Sequence, residues 1–360
     1  MNTGSVSAGA LMALASAALF GASTPLAKLL LGGGVDPWLL AGLLYLGSGF
    51  GLAALGLGRR LAGIRNTEAP LRRSDVPWLA LIVVAGGMAG PLLLMLGLAT
   101  TPASSAALLL NVEGLATMSI AWLVFRENVD RRLLTGAFAI LAGAILLSWR
   151  AGPSGLGASG AGLGTLAIVG ACLAWGVDNN LTRKLSSADP LQITAIKGVA
   201  AGVANLALAL GRGAHLPSPT AMVVAGCVGF FGYGVSLVLF VLALRHLGTA
   251  RAGAYFSTAP FLGAALSLAL FKEPFTAQFA GASILMGFGV WLHLAERHDH
   301  EHAHEPLEHE HRHVHDAHHQ HAHAPDDPPG EPHAHRHRHA AMRHSHAHHP
   351  DLHHRHGHAR

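Results

Sequence analysis

Two long stretches of this chain contain no charged side chain, one between residues 76 and 98 and the other between residues 133 and 149. Such stretches match the roughly 20 apolar residues that an α-helix needs to cross the hydrocarbon core of a bilayer. Charged residues make up only 12% of the 360 residues, about half the share that is usual in soluble domains. The sequence therefore predicts an all-α membrane protein.

Turn residues divide the apolar part of the chain into about ten candidate transmembrane helices. The divisions contain proline, as in Thr101-Pro102, Asp189-Pro190 and Pro217-Ser218-Pro219, which favours a turn over a continuing helix. The predicted spans are 8–31, 36–57, 76–98, 103–125, 132–149, 161–185, 190–210, 219–245, 248–271 and 276–294. Because no Lys or Arg precedes Lys28, and because the first span is long, we expect it to be a retained helix and not a signal peptide.

Arginines are concentrated in two of the predicted loops. The 58–75 loop contains five and the 126–132 loop contains three, whereas the loops at 32–37 and 99–103 contain no Lys or Arg. Cytoplasmic loops collect Lys and Arg, so the two basic loops are expected to face the cytoplasm. With ten spans, both termini are then cytoplasmic, and the expected location is the inner (plasma) membrane of a bacterium.

The two halves of the chain repeat the same short motif. Phe-Arg-Glu at 125–127 and Phe-Lys-Glu at 271–273 each follow a long apolar helix, and Gly143 and Gly289 stand sixteen residues after the two glutamates. Five helices per half is an odd number, so the second half must enter the membrane in the opposite sense, as an inverted-topology repeat. The expected units are a first repeat at 1–150, a second at 151–295 and a tail at 296–360.

Further matching pairs occur in the first helices of the two halves: Phe20-Gly21 corresponds to Trp175-Gly176, and Asp36-Pro37 to Asp189-Pro190. Together with the Phe-basic-Glu motif and the five-plus-five layout, over about residues 8–294, they resemble the EamA-type family of drug/metabolite transporters. The resemblance implies an alternating-access carrier of small metabolites or drugs, with a cavity lined chiefly by helices 1, 3, 4, 6, 8 and 9. One departure is the 111–114 segment in helix four, where such families often place proline, while helix nine keeps Pro260.

Glu113 is the acidic residue that the sequence places nearest the bilayer centre, about ten residues from either end of the 103–125 helix. An ionised carboxylate there costs several kcal/mol unless it is paired or hydrated, so it is expected to face a cavity. The alternative is a protonated Glu113 that hydrogen-bonds to a neighbouring helix as a structural link. Asn111 is a second polar candidate for the transport path, but it points about 200° away from Glu113 on an ideal helix.

Polar residues also interrupt helix six at Asp178 and Asn179, and their counterpart in helix one begins at Ser23. Paired interruptions in the two repeats indicate a transporter site, although Asp178 has the alternative of simply pairing with Lys197. Arg251 and Tyr255 are one turn apart in helix nine. They are candidates for binding an anionic group, and the alternative is that Arg251 extends to the cytoplasmic surface.

The tail contains 24 of the 27 histidines of the chain, in His-x-His runs with interleaved Asp and Glu. It has almost no large apolar residues, so it is predicted to be disordered. Neutral imidazole binds zinc, nickel, copper and cobalt, and such tracts indicate metal binding; a solvating pH-sensitive tail or an appended tag are the alternatives. The candidate metal ligands are His300, His302, His304, His309, His311, His313, His315, His333, His335, His337 and His339.

These features favour an ion-coupled exporter of a small organic solute, with Glu113 as the coupling or substrate-binding carboxylate. The rival hypotheses are a divalent metal transporter whose tail loads or senses zinc, nickel or cobalt, and a membrane-anchored metal buffer. The sequence contains no GxxxxGK[ST] phosphate loop, and its apolar spans contain no HExxH pair that would suggest an intramembrane enzyme. Neither direct ATP use nor an enzyme is therefore expected, and no cofactor is required. The expected partners are the lipid bilayer and a small-molecule or ion substrate, with no nucleic acid, and a homodimer is left open.

Overall fold

The computed structural model describes residues 3–64, 71–125, 131–149, 160–182, 185, 188–247, 249–294, 298–304, 307–313, 333–339 and 342–348. Its helices are α1 (Thr3–Gly32), α2 (Pro37–Leu61), α3 (Val76–Ile82), α4 (Gly90–Thr100), α5 (Ala103–Leu109), α6 (Val112–Phe125), α7 (Arg131–Ser148), α8 (Gly160–Thr182), α9 (Pro190–Gly211), α10 (Pro219–Gly229), α11 (Ser236–Leu247), α12 (Thr249–Phe256), α13 (Ala259–Phe271) and α14 (Ala277–Leu294). A 3-10 turn, Arg73–Asp75, precedes α3.

Asp36 and Asp189 begin corresponding helices in the two halves. Asp36 accepts hydrogen bonds from the amides of Trp38 (2.9 Å) and Leu39 (3.1 Å), and Asp189 accepts one from the amide of Leu191 (2.9 Å). A proline follows each aspartate within the first turn, where its missing N–H removes no helical hydrogen bond. The two Asp-Pro pairs therefore act as the N-terminal caps of α2 and α9.

Nine helical stretches in the described part of the chain are long and apolar enough to cross a membrane. The predicted 248–271 span is instead divided into α12 and α13, because Pro260 lacks the N–H that a continuous helix would need there. The 103–125 span is also divided, into α5 and α6, at residues 110–111. Neither span is thus the single unbroken helix that the sequence predicted.

We number the crossings as spans 1–10 in chain order. Spans 3, 4, 8 and 9 each consist of two helices (α3–α4, α5–α6, α10–α11 and α12–α13), and each other span is one helix. The end of the bundle that carries Lys28 is called the Lys28 end, and the opposite end, which carries Arg59, is called the Arg59 end. On the orientation predicted from the arginines, these are the periplasmic and cytoplasmic ends, respectively.

Corresponding spans of the two halves make equivalent packing contacts. Span 1 packs on spans 8 and 9, and its counterpart, span 6, packs on spans 3 and 4. Spans 2 and 7 pack on each other, as do spans 5 and 10. Each half therefore contacts the other through equivalent surfaces, as an inverted repeat requires.

Two π-helical segments occupy matching places in the two halves. Val83–Ala89 lies between α3 and α4 in span 3, and Phe230–Val235 lies between α10 and α11 in span 8. The first contacts spans 6 and 7, and the second contacts the corresponding spans 1 and 2. Both halves therefore carry the same irregularity, facing equivalent partners. Segments of π-helix are rare, and where they occur they are often found at functional sites.

The pairing of α2 with α9 rests on glycine. Gly49 of α2 lies against Gly198 and Val199 of α9, and a Cβ on Gly49 would overlap the α9 backbone. The absence of a side chain therefore lets the two backbones approach, as is common between helices in lipid.

The outer surface of the bundle is apolar. Leu11, Leu163 and Ile284 are 70%, 67% and 72% exposed, and many other large apolar side chains also point outwards. Apolar surface on this scale is covered by another apolar phase. Together with the apolar spans, it identifies the chain as a membrane protein.

Four strands lie in the histidine-rich tail: β1 (His298–His304), β2 (Leu307–His313), β3 (His333–His339) and β4 (Met342–His348). β1 pairs antiparallel with β4, and β2 with β3. Alternation of histidine with other residues has the period of two that an extended strand accommodates. Each sheet has only two strands, an arrangement that is marginally stable in water.

Candidate functional site

Glu113 lies in the first turn of α6, directly after the break in span 4. Its Oε1 accepts a hydrogen bond from Nδ2 of Asn179 in span 6 (3.0 Å). Asn179 also donates to the hydroxyl of Thr117 (3.2 Å), which in turn donates to the backbone carbonyl of Glu113 (2.9 Å). A small polar network thus joins spans 4 and 6 at mid-depth.

Asn179 indicates where this network is open. On α8 it shares a face with Ile168, Cys172 and Trp175, since these residues recur at helical spacing. The other three are buried against the rest of the bundle, but Asn179 is exposed. The exposure of this face therefore begins one turn beyond Trp175, on the side of the Arg59 end.

Asp178 forms an ion pair with Lys197 of span 7, with 2.5 Å between Oδ2 and Nζ. The two side chains are only 7% and 17% exposed. Asp178 also lies directly against Gly86, where a Cβ would overlap its carboxylate. The pairing that the sequence offered as an alternative for Asp178 is the contact in the structure, and no ion pair of Glu113 is found among the described residues.

Side chains from three spans bind the carbonyls of the π-helical segment in span 3. The hydroxyl of Tyr45 (2.7 Å) and the indole N–H of Trp175 (3.0 Å) both donate to the carbonyl of Gly86. The Nδ2 of Asn205 donates to the carbonyl of Gly87 (3.0 Å). A π-helix misaligns carbonyls with the helical ladder, so these bonds satisfy groups that would otherwise be buried without partners.

The matching π-helical segment in span 8 faces Ser23. The hydroxyl of Ser23 donates to the carbonyl of Phe20 (2.6 Å), and its Cβ lies against Gly232. Tyr233 packs on Phe20 and on Tyr45, with ring centroids 5.9 and 5.7 Å apart. Ser23 therefore occupies, in the second interface, the place that Asp178 occupies beside Gly86.

Asn111 and Tyr255, also predicted path residues, form no described hydrogen bond with the Glu113 network. Asn111 is buried at the break in span 4, where its Nδ2 donates to the carbonyl of Leu108 (2.8 Å). Tyr255 packs with the small cluster of Ala13, Ala243 and Ala252. Arg251 lies in α12, and its side chain falls outside the described residues.

The register of the tail strands places histidine opposite histidine. The Cα partners include His300 with His346, His302 with His344, His309 with His337, His311 with His335 and His313 with His333. His304 is paired with Met342 and His339 with Leu307, whereas His315 lies outside the described residues. Across the part of the chain that the structure describes, no group of three or more His, Cys, Asp and Glu is placed to hold a metal ion.

Several groups around the site are not among the predicted path residues. Thr117 follows Glu113 by one helical turn, a spacing that could have identified it. Tyr45, Trp175 and Asn205 take part through the carbonyls of the π-helical segment. Since π-helix has no recognised signal in the residue pattern, these contacts are accessible only from the structure.

The fold and the site together define a class of protein, a membrane transporter. Two five-span repeats contact each other through equivalent surfaces and pack around polar groups at mid-depth. This is an architecture of secondary transporters. The EamA-like transporter family matches residues 7–149 and 162–295. The chain therefore belongs to this family, as its sequence motifs suggested.

Two known proteins illustrate the relationship. An uncharacterized transporter of Methanothermobacter thermautotrophicus is 30% identical over 229 residues, which are 63% of this chain and 67% of that protein. A protein of known crystal structure is 19% identical, with a TM-score of 0.59, and the match covers 79% of this chain and 95% of that chain. The first similarity is to a transporter, and the second concerns the fold alone.

Proposed function

We propose that the chain is a secondary active transporter that exports a small organic solute across the bacterial inner membrane by alternating access. The observation that carries the proposal is Glu113, a carboxylate at mid-depth whose hydrogen-bond partner, Asn179, is exposed towards the Arg59 end. A solute or a proton entering from that end would meet Glu113 in the interior of the bundle.

Glu113 is proposed as the coupling or substrate-binding group because its charge is left free to change. Asp178 has Lys197 as counter-ion, so its charge is compensated, whereas Glu113 has the neutral amide of Asn179. A carboxylate held by a neutral donor can bind a proton or a cation without breaking an ion pair. Asp178, Asn179 and Ser23 would then line or support the path.

The contacts of Asp178 favour an organic solute over a divalent metal as cargo. A metal in transit would need several oxygen, nitrogen or sulfur ligands at once. Asp178 is already bound to Lys197 at 2.5 Å, so joining Glu113 as a ligand would leave a buried ammonium without its partner. That cost makes a Glu113–Asp178 metal site the weaker alternative.

Reconstitution tests this function. Overexpression in a growth screen against toxic metabolites and metals first identifies a solute to which cells become resistant. The purified chain in proteoliposomes should then accumulate that solute when a proton or sodium gradient is imposed, and exchange it when none is. Transport of zinc or nickel, with no transport of any organic solute tested, would contradict the proposal and favour the metal carrier.

We further propose that the tail binds zinc or nickel through many exchanging sites, with the metal as a ligand of the tail and not as cargo. Its support is the density of histidines and the His-opposite-His register of β1 with β4 and β2 with β3. Imidazole binds metal only when neutral, so protons compete with the metal.

Calorimetry on the full chain and on a chain ending at residue 295 tests the tail. At about pH 7.5, one unit above the usual histidine pKa of about 6.5, zinc should bind the full chain and not the shortened one. At about pH 5.5 the heat of binding should be largely lost. Equal binding by both chains would rule out the tail as the site, and unchanged transport by the shortened chain would separate the tail from carriage of an organic solute.

A further inference from the structure

Lys28 links spans 1 and 3 at the Lys28 end of the bundle. Its Nζ donates to the carbonyls of Leu98 (2.5 Å), Ala99 (3.2 Å) and Thr101 (3.0 Å). These carbonyls belong to the last turn of α4 and to the connection that follows it. The last carbonyls of a helix lack partners within the helix and carry the negative end of its dipole, so an ammonium group binds them well.

Glu273 makes the complementary contact on the other side of the same connection. Its Oε1 accepts from the amide of Ala103 (2.8 Å), and its Oε2 accepts from the amide of Ser104 (3.1 Å) and from the hydroxyl of Ser104. These amides begin α5, where the backbone N–H groups lack partners within the helix. Glu273 follows α13, so the contact ties the end of span 9 to the start of span 4.

Both charged residues therefore act on one short stretch, residues 98–104, which joins spans 3 and 4. We call Lys28, Glu273 and this stretch the clasp. Through it, spans 1 and 9 are fixed to spans 3 and 4 at the Lys28 end. The packing beneath the clasp is dense: Ala27, Leu98, Ala103 and Ala107 are at most 1% exposed.

The opposite end differs, because the interior face of span 6 is exposed there at Asn179. The bundle is thus densely packed on the Lys28 side of Glu113, whereas Asn179 is exposed on the Arg59 side. Neither Lys28 nor Glu273 bonds to any residue of the Glu113 network in the described part of the chain. Their contacts are to backbone groups and to the hydroxyl of Ser104. Water can also satisfy these groups, so the clasp can be released and remade without leaving a bond unmade.

We infer that Lys28 and Glu273 are positioning residues of the transport cycle, which hold the Lys28 end closed while the site is open at the Arg59 end. The inference rests on the alternating-access function proposed above. Loss of either residue removes charge-assisted bonds that exist only in the closed arrangement. It therefore shifts the population towards opening at the Lys28 end, without touching the groups around Glu113.

Cysteine labelling measures this shift directly. The reporter is Ala107→Cys, which is buried in α5 beside Gly263 of α13, in a chain that also carries Cys172→Ala and Cys227→Ala. In reconstituted membranes, Glu273→Ala and Lys28→Gln should each raise its rate of reaction with a water-soluble maleimide at least about tenfold, the factor that corresponds to the loss of a single charge-assisted hydrogen bond. Glu273→Gln keeps one acceptor oxygen, so it should give a smaller rise in the same direction.

Two controls distinguish opening of the Lys28 end from a general loosening of the whole bundle. Lys272→Gln removes an exposed lysine next to Glu273 and should leave the rate unchanged. A second reporter, Ala282→Cys, is equally buried, between spans 5 and 10, and should also react at its original rate. An unchanged rate at Ala107→Cys, or an equal rise at both reporters, would overturn the inference. Labelling needs no substrate, so its outcome is independent of the transport assay. The labelling rates can contradict the role of Lys28 and Glu273 even if transport is demonstrated, and they can support that role even if transport of an organic solute is not found.

Discussion

Two carboxylates lie at mid-depth in the bundle, and their partners differ. Asp178 is bound to the ammonium of Lys197 at 2.5 Å, whereas Glu113 accepts a bond from the neutral amide of Asn179. A buried ion pair contributes little net stability, but removing one partner leaves an uncompensated charge in a medium of low dielectric constant. At the scale of single residues, Asp178 and Lys197 therefore form a structural unit, and Glu113 is the group that we propose to change its charge.

This difference predicts a non-additive pair of substitutions. Lys197→Met alone should destabilise the protein by about 3–5 kcal/mol, because Asp178 loses its counter-ion. The double variant Lys197→Met with Asp178→Asn removes both charges and should recover most of that loss. Thermal unfolding of the purified protein in detergent measures both, with Lys272→Met as the control for loss of an exposed lysine. A double variant no more stable than Lys197→Met would contradict the pairing.

The sequence located Glu113 and Asp178 because charged residues are conspicuous within apolar spans. It placed Asp178 and Lys197 at similar depth but could not decide between a path role for Asp178 and a bond to Lys197, since that choice depends on which faces of the two helices meet. The sequence could not predict the hydrogen bonds from Tyr45 and Trp175 to the carbonyl of Gly86. They depend on a π-helical segment that the residue pattern does not reveal.

Irregular helices occur in matching spans of the two halves. Spans 3 and 8 both contain a π-helical segment, and spans 4 and 9 are both broken near mid-depth. The sequence predicted the repeat from its motifs and most of the spans from their apolar stretches. It predicted spans 4 and 9 as unbroken, although Pro260 marks the break in span 9; no proline marks the break in span 4.

Helix packing is most sensitive where two backbones touch. Gly49→Ala should destabilise the protein by about 1–3 kcal/mol, because the added Cβ overlaps the α9 backbone beside Gly198. Gly58→Ala in the same helix is the matched control, since a Cβ there meets nothing within 4 Å. Alanine is the better helix former, so this control should be neutral or slightly stabilising. The measurement is thermal unfolding in detergent, and equal effects at the two positions would refute the close packing of spans 2 and 7.

At the scale of the whole molecule, the two repeats pack through equivalent surfaces, and the odd number of spans per half places them in opposite senses. The family match at residues 7–149 and 162–295 covers both repeats. Which end of the bundle faces the cytoplasm is a prediction from the eight arginines in the two basic loops. On that prediction the clasp is periplasmic, and the exposed side of the Glu113 network is cytoplasmic.

Reporter fusions test the orientation. A reporter that is active only outside the cytoplasm should be active when fused after Trp149 and inactive when fused after Leu294, because five spans separate the two points. A cytoplasmic reporter at the same two positions should give the reverse pattern and serves as the control. Activity of the first reporter after Leu294 and not after Trp149 would reverse the predicted orientation.

The most direct test of the central claim is transport by the Glu113→Gln variant. Glutamine keeps the size and hydrogen-bonding capacity of the side chain but cannot bind or release a proton. In proteoliposomes under an imposed pH gradient, with flux normalised to folded protein, the variant should lose gradient-driven accumulation, while exchange of solute across the membrane persists. Accumulation by the Glu113→Gln variant at the rate of the unmodified protein would contradict the coupling role and leave Glu113 as a structural link between spans 4 and 6.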